Sequence, residues 1–199
     1  MEGGHYPSDE KLVSLSKDGN LTAFNSLVER YQSAVYGLCL RLLGSAPAAE
    51  DATQEAFISA FGAISRFKEG SFRSWLFRIA ANASKDELRR RVRKEPGRSL
   101  DAMLDDEDGP REIPDPGASP PVLLEQKKLS EQLQGLLLEL PFEQRQAVVL
   151  SDLYGYHYDE IAEISGASVG TVKSRIHRGR EKLRQLVLAH PELLLRGER

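Results

Sequence analysis

The stretch Tyr158–Arg178, YDEIAEISGASVGTVKSRIHR, decides the fold. Two helices that cross at ~90 to 120° over a short turn need a small residue at their closest approach, a turn residue tolerant of positive φ, and a branched apolar anchor on the second helix. Ala162, Gly166 and Val172 supply these, the last two at offsets of four and ten residues from Ala162. Ser168 stands where an N-cap accepts from the first turn of the second helix. Val172, Ile176, Leu183, Leu186 and Val187 form an apolar stripe, so Lys173, Ser174, His177, Arg178 and Arg180 point away from the packing. From Thr171 to Arg184 six basic residues meet one acid, Glu181, a local charge of +5. The pattern predicts a helix-turn-helix whose second helix enters a major groove, where Arg and Lys neutralise phosphates or reach guanine edges. A solvated Arg-rich helix shares the charge but has no reason for the Ala, Gly and Val spacing. His177 lacks a Cys, Asp or second His at ligand spacing, which argues against a metal role.

Upstream, the leucine row Leu129, Leu133, Leu136, Leu137 and Leu140 is stopped by Pro141, and Ala147, Val148 and Leu150 continue a further helix into the aromatic turn LYGYHY. Before that lies PGRSLDAMLDDEDGPREIPDPGASPPVLLE, residues 96–125, with six of the ten prolines, two basic and eight acidic residues, net −6. Such a stretch is expected not to hold a helical ladder and reads as an extended linker. Its DDEDG run fails as a calcium loop, because the register ending at Gly109 puts Leu104 at the first ligand position and prolines inside the loop.

Residues 1–95 carry +2 and residues 126–199 carry +1. In the first of these segments Leu21, Phe24, Leu27, Val28, Tyr31, Val35, Leu38 and Leu42 recur at helical spacing, and Gly44 is placed to end that helix. Pro47 suits the first turn of a second helix whose early residues, Glu50, Asp51, Gln54 and Glu55, are polar before Phe57, Phe61 and Ile64. A third helix is expected from about Phe72 to Arg93 after the FKEGS turn, with Phe72, Trp75, Leu76, Ile79 and Ala83 facing the core. Its end is basic, and Arg78, Asn82, Lys85, Arg89 and Arg93 form one stripe. Phe67, Phe72, Trp75 and Phe77 beside Arg66, Lys68 and Arg73 suit stacking on unpaired bases, with core packing the competing reading for Phe72 and Trp75.

The predicted fold class is all-α: two small helical domains joined by an acidic proline-rich linker, the second containing the helix-turn-helix. The expected divisions are an N-terminal extension (1–20), a first domain (21–95), the linker (96–125), a second domain (126–189) and a tail (190–199). Two basic helices on a tether suggest a protein gripping DNA at two separated places.

The totals of 27 Lys and Arg against 30 Asp and Glu, a net charge of −3, hide this segregation. With 40% apolar and 29% charged residues in 199, the chain can bury a core and still present large charged surfaces. A single cysteine, Cys39, allows no intrachain disulfide and is read as a packing residue, so a reducing, cytoplasmic setting is expected without cofactor or metal. MEGGHYPSDEKL has no signal-peptide pattern, and no apolar run reaches the ~18 residues of a membrane span.

These residues resemble the extracytoplasmic function (ECF) sigma factors from about Leu21 to Leu188, through AFNSLVERYQSAVYGLCLRLLG, EDATQEAFISAF, FRSWLFRIAANASKDELRRR, LPFEQRQAVVLSDLYGYHYDEIAEISG and VGTVKSRIHRGREKL. The resemblance implies a non-enzymatic factor that binds core RNA polymerase, at the β′ clamp helices and the β subunit, and directs it to promoters. It implies polymerase docking at Glu50, Asp51, Gln54 and Glu55. It implies contact with the −10 element at Lys68, Ser71, Arg73, Arg78, Asn82, Lys85, Arg89 and Arg93, where a flipped base is captured by Asn82 and the FKEGSFR loop. For the −35 element it implies Ser168, Thr171, Lys173, Ser174, Arg175, His177, Arg178 and Arg180. It further implies an anti-sigma partner, a stress or envelope regulon, and a linker threading near the polymerase active-site cleft and RNA exit path. Two rivals are a helix-turn-helix regulator that never touches polymerase, which leaves the EDATQE face without work, and a recombinase, for which Ser71 and Ser84 are the nearest nucleophile candidates.

Overall fold

The computed structural model describes residues 7–94 and 120–190, and in these residues there are helices and no strand. The helices are α1 (Asp9–Lys17), α2 (Leu21–Leu43), α3 (Ala46–Ala63), α4 (Phe72–Lys94), α5 (Pro120–Leu138), α6 (Phe142–Val148), α7 (Tyr158–Ser165) and α8 (Val169–Ala189). A 3₁₀ turn, Ile64–Arg66, follows α3, and a wide π-helical turn, Val149–Leu153, extends α6.

Helix α2 begins at Asn20, whose carboxamide accepts from the Ala23 amide, and ends at Gly44 in the left-handed region with φ 72°. The period predicts this helix and the glycine ends it, because a side chain there would be strained. Helix α3 opens with Pro47 in its first turn and buries a row of small residues, Ala48, Ala49, Ala52, Ala56 and Ala60. Methyl side chains allow α2 and α4 to approach α3 closely, so the three helices share one core containing Leu27, Val35, Leu38, Leu42, Leu76 and Phe77. Cys39 is fully buried in it, and that burial pushes its thiol pKa up. Ser71 caps α4, its hydroxyl accepting from the Ser74 amide.

Within the expected N-terminal extension, residues 9–17 form a full helix capped by Ser8 and packed on α2. Helix α5 starts at Pro120, inside the stretch expected to be linker, so the Pro120–Pro121 pair opens a helix instead of preventing one. A proline's missing amide costs nothing in a first helical turn. The passage of the linker near a polymerase cleft concerns residues 96–119, which lie outside the described residues, as do the excluded calcium loop and residues 191–199.

In the second module α5, α6, α7 and α8 enclose Leu140, Val149, Leu150, Ile161, Ile164, Val172 and Ile176. In this structure the two modules pack on each other. Helix α7 lies on α4, and α5 and α6 lie on α2. The buried Arg145 donates to the carbonyls of Leu138 (2.7 Å) and Leu140 (2.9 Å) in its own module and to that of Leu42 in the other.

Candidate nucleic-acid and polymerase interfaces

The helix-turn-helix is α7, a turn, and α8. Gly166 takes φ 65° and its amide donates to the Ala162 carbonyl, ending α7 where the small residue allows the crossing. Ser168 starts α8 by accepting from the Thr171 amide at 3.1 Å. Val172 and Ile176 are buried, while Ser168, Thr171, Lys173, His177, Arg178 and Arg180 are exposed and Ser174 and Arg175 half-buried. Arg178 reaches back to the Ser174 hydroxyl at 3.2 Å, and Ser174 in turn donates to the Thr171 carbonyl. Thus Thr171, Ser174 and Arg178 form one hydrogen-bonded row along α8.

Arg180 is placed differently. It donates to both oxygens of Asp152, at 3.1 and 2.5 Å, and to Ser151 on the wide turn after α6. The Arg180 hydrogen bond holds the Asp152 carboxyl below its ordinary range. Its guanidinium therefore fastens α8 to its own module before any DNA arrives.

On the first module Glu50, Asp51, Gln54 and Glu55 are all exposed on α3. Ile58, 59% exposed, lies one turn beyond Gln54 and lines a cleft of about 320 Å³ with Asp51, Gln54, Glu55 and the α4 residues Ala83, Glu87 and Arg90. Sequence reasoning passed over Ile58, although an apolar residue outside the Phe57, Phe61, Ile64 stripe was the available signal.

Along α4, Arg78, Asn82, Arg89 and Arg93 are exposed, and Lys68 and Ser71 are exposed in the preceding loop. Two of the residues expected at the −10 element are engaged elsewhere. Lys85 pairs with Glu143 of the second module at 2.9 Å, which lowers the Glu143 carboxyl pKa. Arg73 lies 5.2 Å from the ring centres of Phe77 and Tyr156 and 5.9 Å from that of Tyr154. Phe77 is fully buried, which corrects its reading as a base-stacking candidate; Phe72 is buried and Trp75 half-buried. Arg90 and Arg91 are held by the nearly buried Glu87, so the local positive charge is smaller than the sequence count suggests. Ser84 is fully buried and bonded to the Ala80 carbonyl, and Ser71 is a helix cap, so each has a structural role.

The loop before α4 and helix α1 enclose a concavity of about 710 Å³ lined by Val13, Lys17, Phe67, Lys68, Ser71 and Phe72 among others. The α1 wall was not anticipated. Asn82 is not among the lining residues. Among the described residues no cluster of His, Cys, Asp or Glu could hold a metal, and no helix is long and apolar enough to cross a membrane.

An acidic helix beside a basic one in a first module, followed by a helix-turn-helix module, defines a two-domain transcription initiation factor, and the comparisons agree. Residues 27–94 match Sigma-70 region 2 and residues 130–183 match Sigma-70 region 4. The chain is 38% identical over 180 residues to the ECF RNA polymerase sigma factor SigW of Bacillus subtilis, covering 88% of this chain and 95% of that one. It is 37% identical over 185 residues to the ECF RNA polymerase sigma-E factor of Escherichia coli, covering 88% and 92%. This chain belongs to the ECF RNA polymerase sigma factors. Among solved structures it is similar to CnrH in complex with the cytosolic domain of CnrY (26% identity, TM-score 0.66, 92% of this chain and 99% of that one). It is also similar to the sigma factor RpoE in complex with the anti-sigma factor NepR from Bartonella quintana (25% identity, TM-score 0.61, 88% and 98%). As a member of this family it binds core RNA polymerase and promoter DNA and is an initiation factor rather than an enzyme.

Proposed function

We propose that the two modules divide promoter recognition as follows. The exposed row Glu50, Asp51, Gln54 and Glu55, with Ile58 as its apolar centre, docks on the β′ clamp helices. Arg78, Arg89 and Arg93 follow the backbone of the −10 strand by neutralising phosphates, and the exposed Asn82 carboxamide on the same helix hydrogen-bonds to the strand. The concavity between α1 and the loop before α4 takes a flipped base, and its aromatic lining replaces the stacking that the base loses. In the second module Ser168, Thr171, Lys173, Ser174, Arg175, His177 and Arg178 face the −35 major groove, while Arg180 holds α8 at the angle that presents them.

The observation that carries this reading is the adjacency of an acidic and a basic exposed face on neighbouring helices of one module. A DNA-binding regulator has no use for the first of them. The chain acts where the polymerase is, in the cytoplasm, and serves a stress or envelope response. An anti-sigma protein is its proposed inhibitor, supported by the similarity to a sigma factor solved with one.

The test is co-purification with core polymerase and transcription from a genomic library. Asp51→Lys with Gln54→Ala is expected to weaken assembly while leaving the second module folded. Unchanged co-purification counts against the docking assignment. The library reports the promoter sequence at the same time.

A further inference from the structure

We propose that residues 191–199 turn back along α8 and seat Leu193, Leu194 and Leu195 in the apolar groove between α5 and α8, so that the second module carries its own cover for that groove.

The groove is a cleft of about 400 Å³ lined by Leu133 and Leu136 of α5, by Leu183 and Val187 of α8, and by Leu153 of the wide turn after α6. Leu133 is 44% exposed and Leu153 56%. Leaving side chains of this size open to water is unfavourable in proportion to the area exposed. A contiguous apolar surface on so small a module marks a place where another segment lies down. The polar groups at its edge are already engaged. Asp152 accepts from Arg180, and Arg41 donates to the Gln134 carboxamide. What remains in the groove is hydrocarbon, and it fits a hydrocarbon occupant.

The chain leaves α8 at one end of this groove. Helix α8 stops at Ala189, and the His190 amide donates to the carbonyl of Val187, itself a groove residue, at 3.1 Å. His190 has left the helical region, with φ −119° and ψ 69°. Pro191 has no amide with which to resume the helix and disfavours a helical residue before it. Glu192 follows, then Leu193, Leu194 and Leu195, then Arg196. Three consecutive leucines point to both sides of an extended segment and around more than half of a helix, so a flat surface takes only some of them. A groove with two apolar walls takes all three. The reach also matches. Leu183 lies about 10 Å back along α8 from His190 at ~1.5 Å per residue, and the extended chain covers roughly 10 to 17 Å between His190 and the leucines at ~3.3 Å per residue. A tether this short has little closure entropy to lose and holds the leucines at an effective concentration on the order of millimolar. Any partner for the groove has to displace the tail first, so the cover sets a threshold on what binds there.

The experiment uses the full chain in two assays that need neither polymerase nor DNA. In the first, Leu194→Cys is paired with Leu133→Cys on the groove wall, or with Gln185→Cys, which is exposed on α8 outside the groove and lies between Leu183 and Val187 in the chain. Cys39 is buried and stays out of the reaction. Mild oxidation is expected to close the intrachain disulfide at position 133 about tenfold faster than at position 185, read by mobility on a non-reducing gel. Leu153→Cys provides a second groove position should Leu133→Cys disturb folding. In the second assay Leu193→Ser, Leu194→Ser and Leu195→Ser are combined, with circular dichroism checking that the helices are intact. This variant is expected to bind the dye 1-anilinonaphthalene-8-sulfonate about tenfold more tightly than the unmodified chain, because apparent affinity scales with the fraction of open groove. A synthetic peptide of residues 190–199 in excess is expected to expel the dye, and the same peptide with three serines to leave it bound. Equal disulfide rates at the groove positions and at 185 overturn the proposal. So do disulfides that form only between chains, which would make a second copy the occupant. Equal dye binding by the unmodified chain and the serine variant overturns it as well, whether the groove is open in both or filled by another segment in both.

Discussion

The two modules reach similar size by different means. The first is held by apolar surface, with a row of five buried alanines on α3 against long helices. The second has shorter helices and leans on ions and caps: Arg145 on three carbonyls, Arg180 on Asp152, and a Glu160 carboxylate that accepts from the His157 amide. The difference teaches where each is vulnerable. Adding volume harms the first, and removing a single polar side chain harms the second.

The sharpest test of that contrast is Arg145→Ala. It leaves buried carbonyls without a donor and is expected to cost about 3 to 4 kcal/mol, read by urea unfolding. A loss below about 1 kcal/mol would mean that water replaces the guanidinium and that the second module is held like the first. Next, Ala56→Leu inserts volume where there is none and is expected to cost about 2 kcal/mol, with the loss confined to amides of α2 to α4 in hydrogen exchange. Spread of that loss into α7 and α8 would show that the modules melt as one.

Arg178→Ala, on an exposed side chain, is expected to leave stability alone and to weaken −35 binding by about 1.5 kcal/mol. An equal loss on every sequence makes Arg178 a phosphate contact only. Gly166→Ala, at φ 65°, is expected to cost about 1 kcal/mol in the second module alone.

The smallest effect is on pH. Arg180 holds the folded Asp152 pKa below its ordinary value of 3.8, so the pair's stabilisation is complete above that value and is lost as pH falls through the lower folded pKa. Both groups are partly exposed, which limits the loss to under ~1 kcal/mol. Asp152→Asn is expected to abolish this portion of the acid sensitivity, checked by urea unfolding at pH 5 and pH 3.

How much of this was legible depended on whether the cause was local. Gly44 ends α2 and Gly166 with Ser168 joins α7 to α8, because a helix end is written in the residues that form it. The exposed acidic row of α3 followed from the same periodicity. Arg145 was not legible: within FEQRQAVV it reads as one polar residue in an apolar run, and its acceptor at Leu42 is 103 residues away in the chain. The intramolecular partners of Arg73, Lys85 and Arg180 were hidden for a related reason. Spacing assigns a cation to a face, but whether a carboxylate or ring from another helix occupies it depends on tertiary contact. Residues 9–17 show the converse, since their short amphipathic pattern gains meaning only once α2 is beside it.

The alanine row of α3 has a consequence for how such a factor can change over generations. A helix whose fully buried residues are all alanine is a neutral backing plate, indifferent to what is displayed on its outward side. Residues at 50, 51, 54, 55 and 58 can be rewritten to suit a different enzyme surface without repacking anything beneath. Transplanting those five outward positions from one relative to another is therefore a feasible way to re-target the module while its scaffold stays as it is.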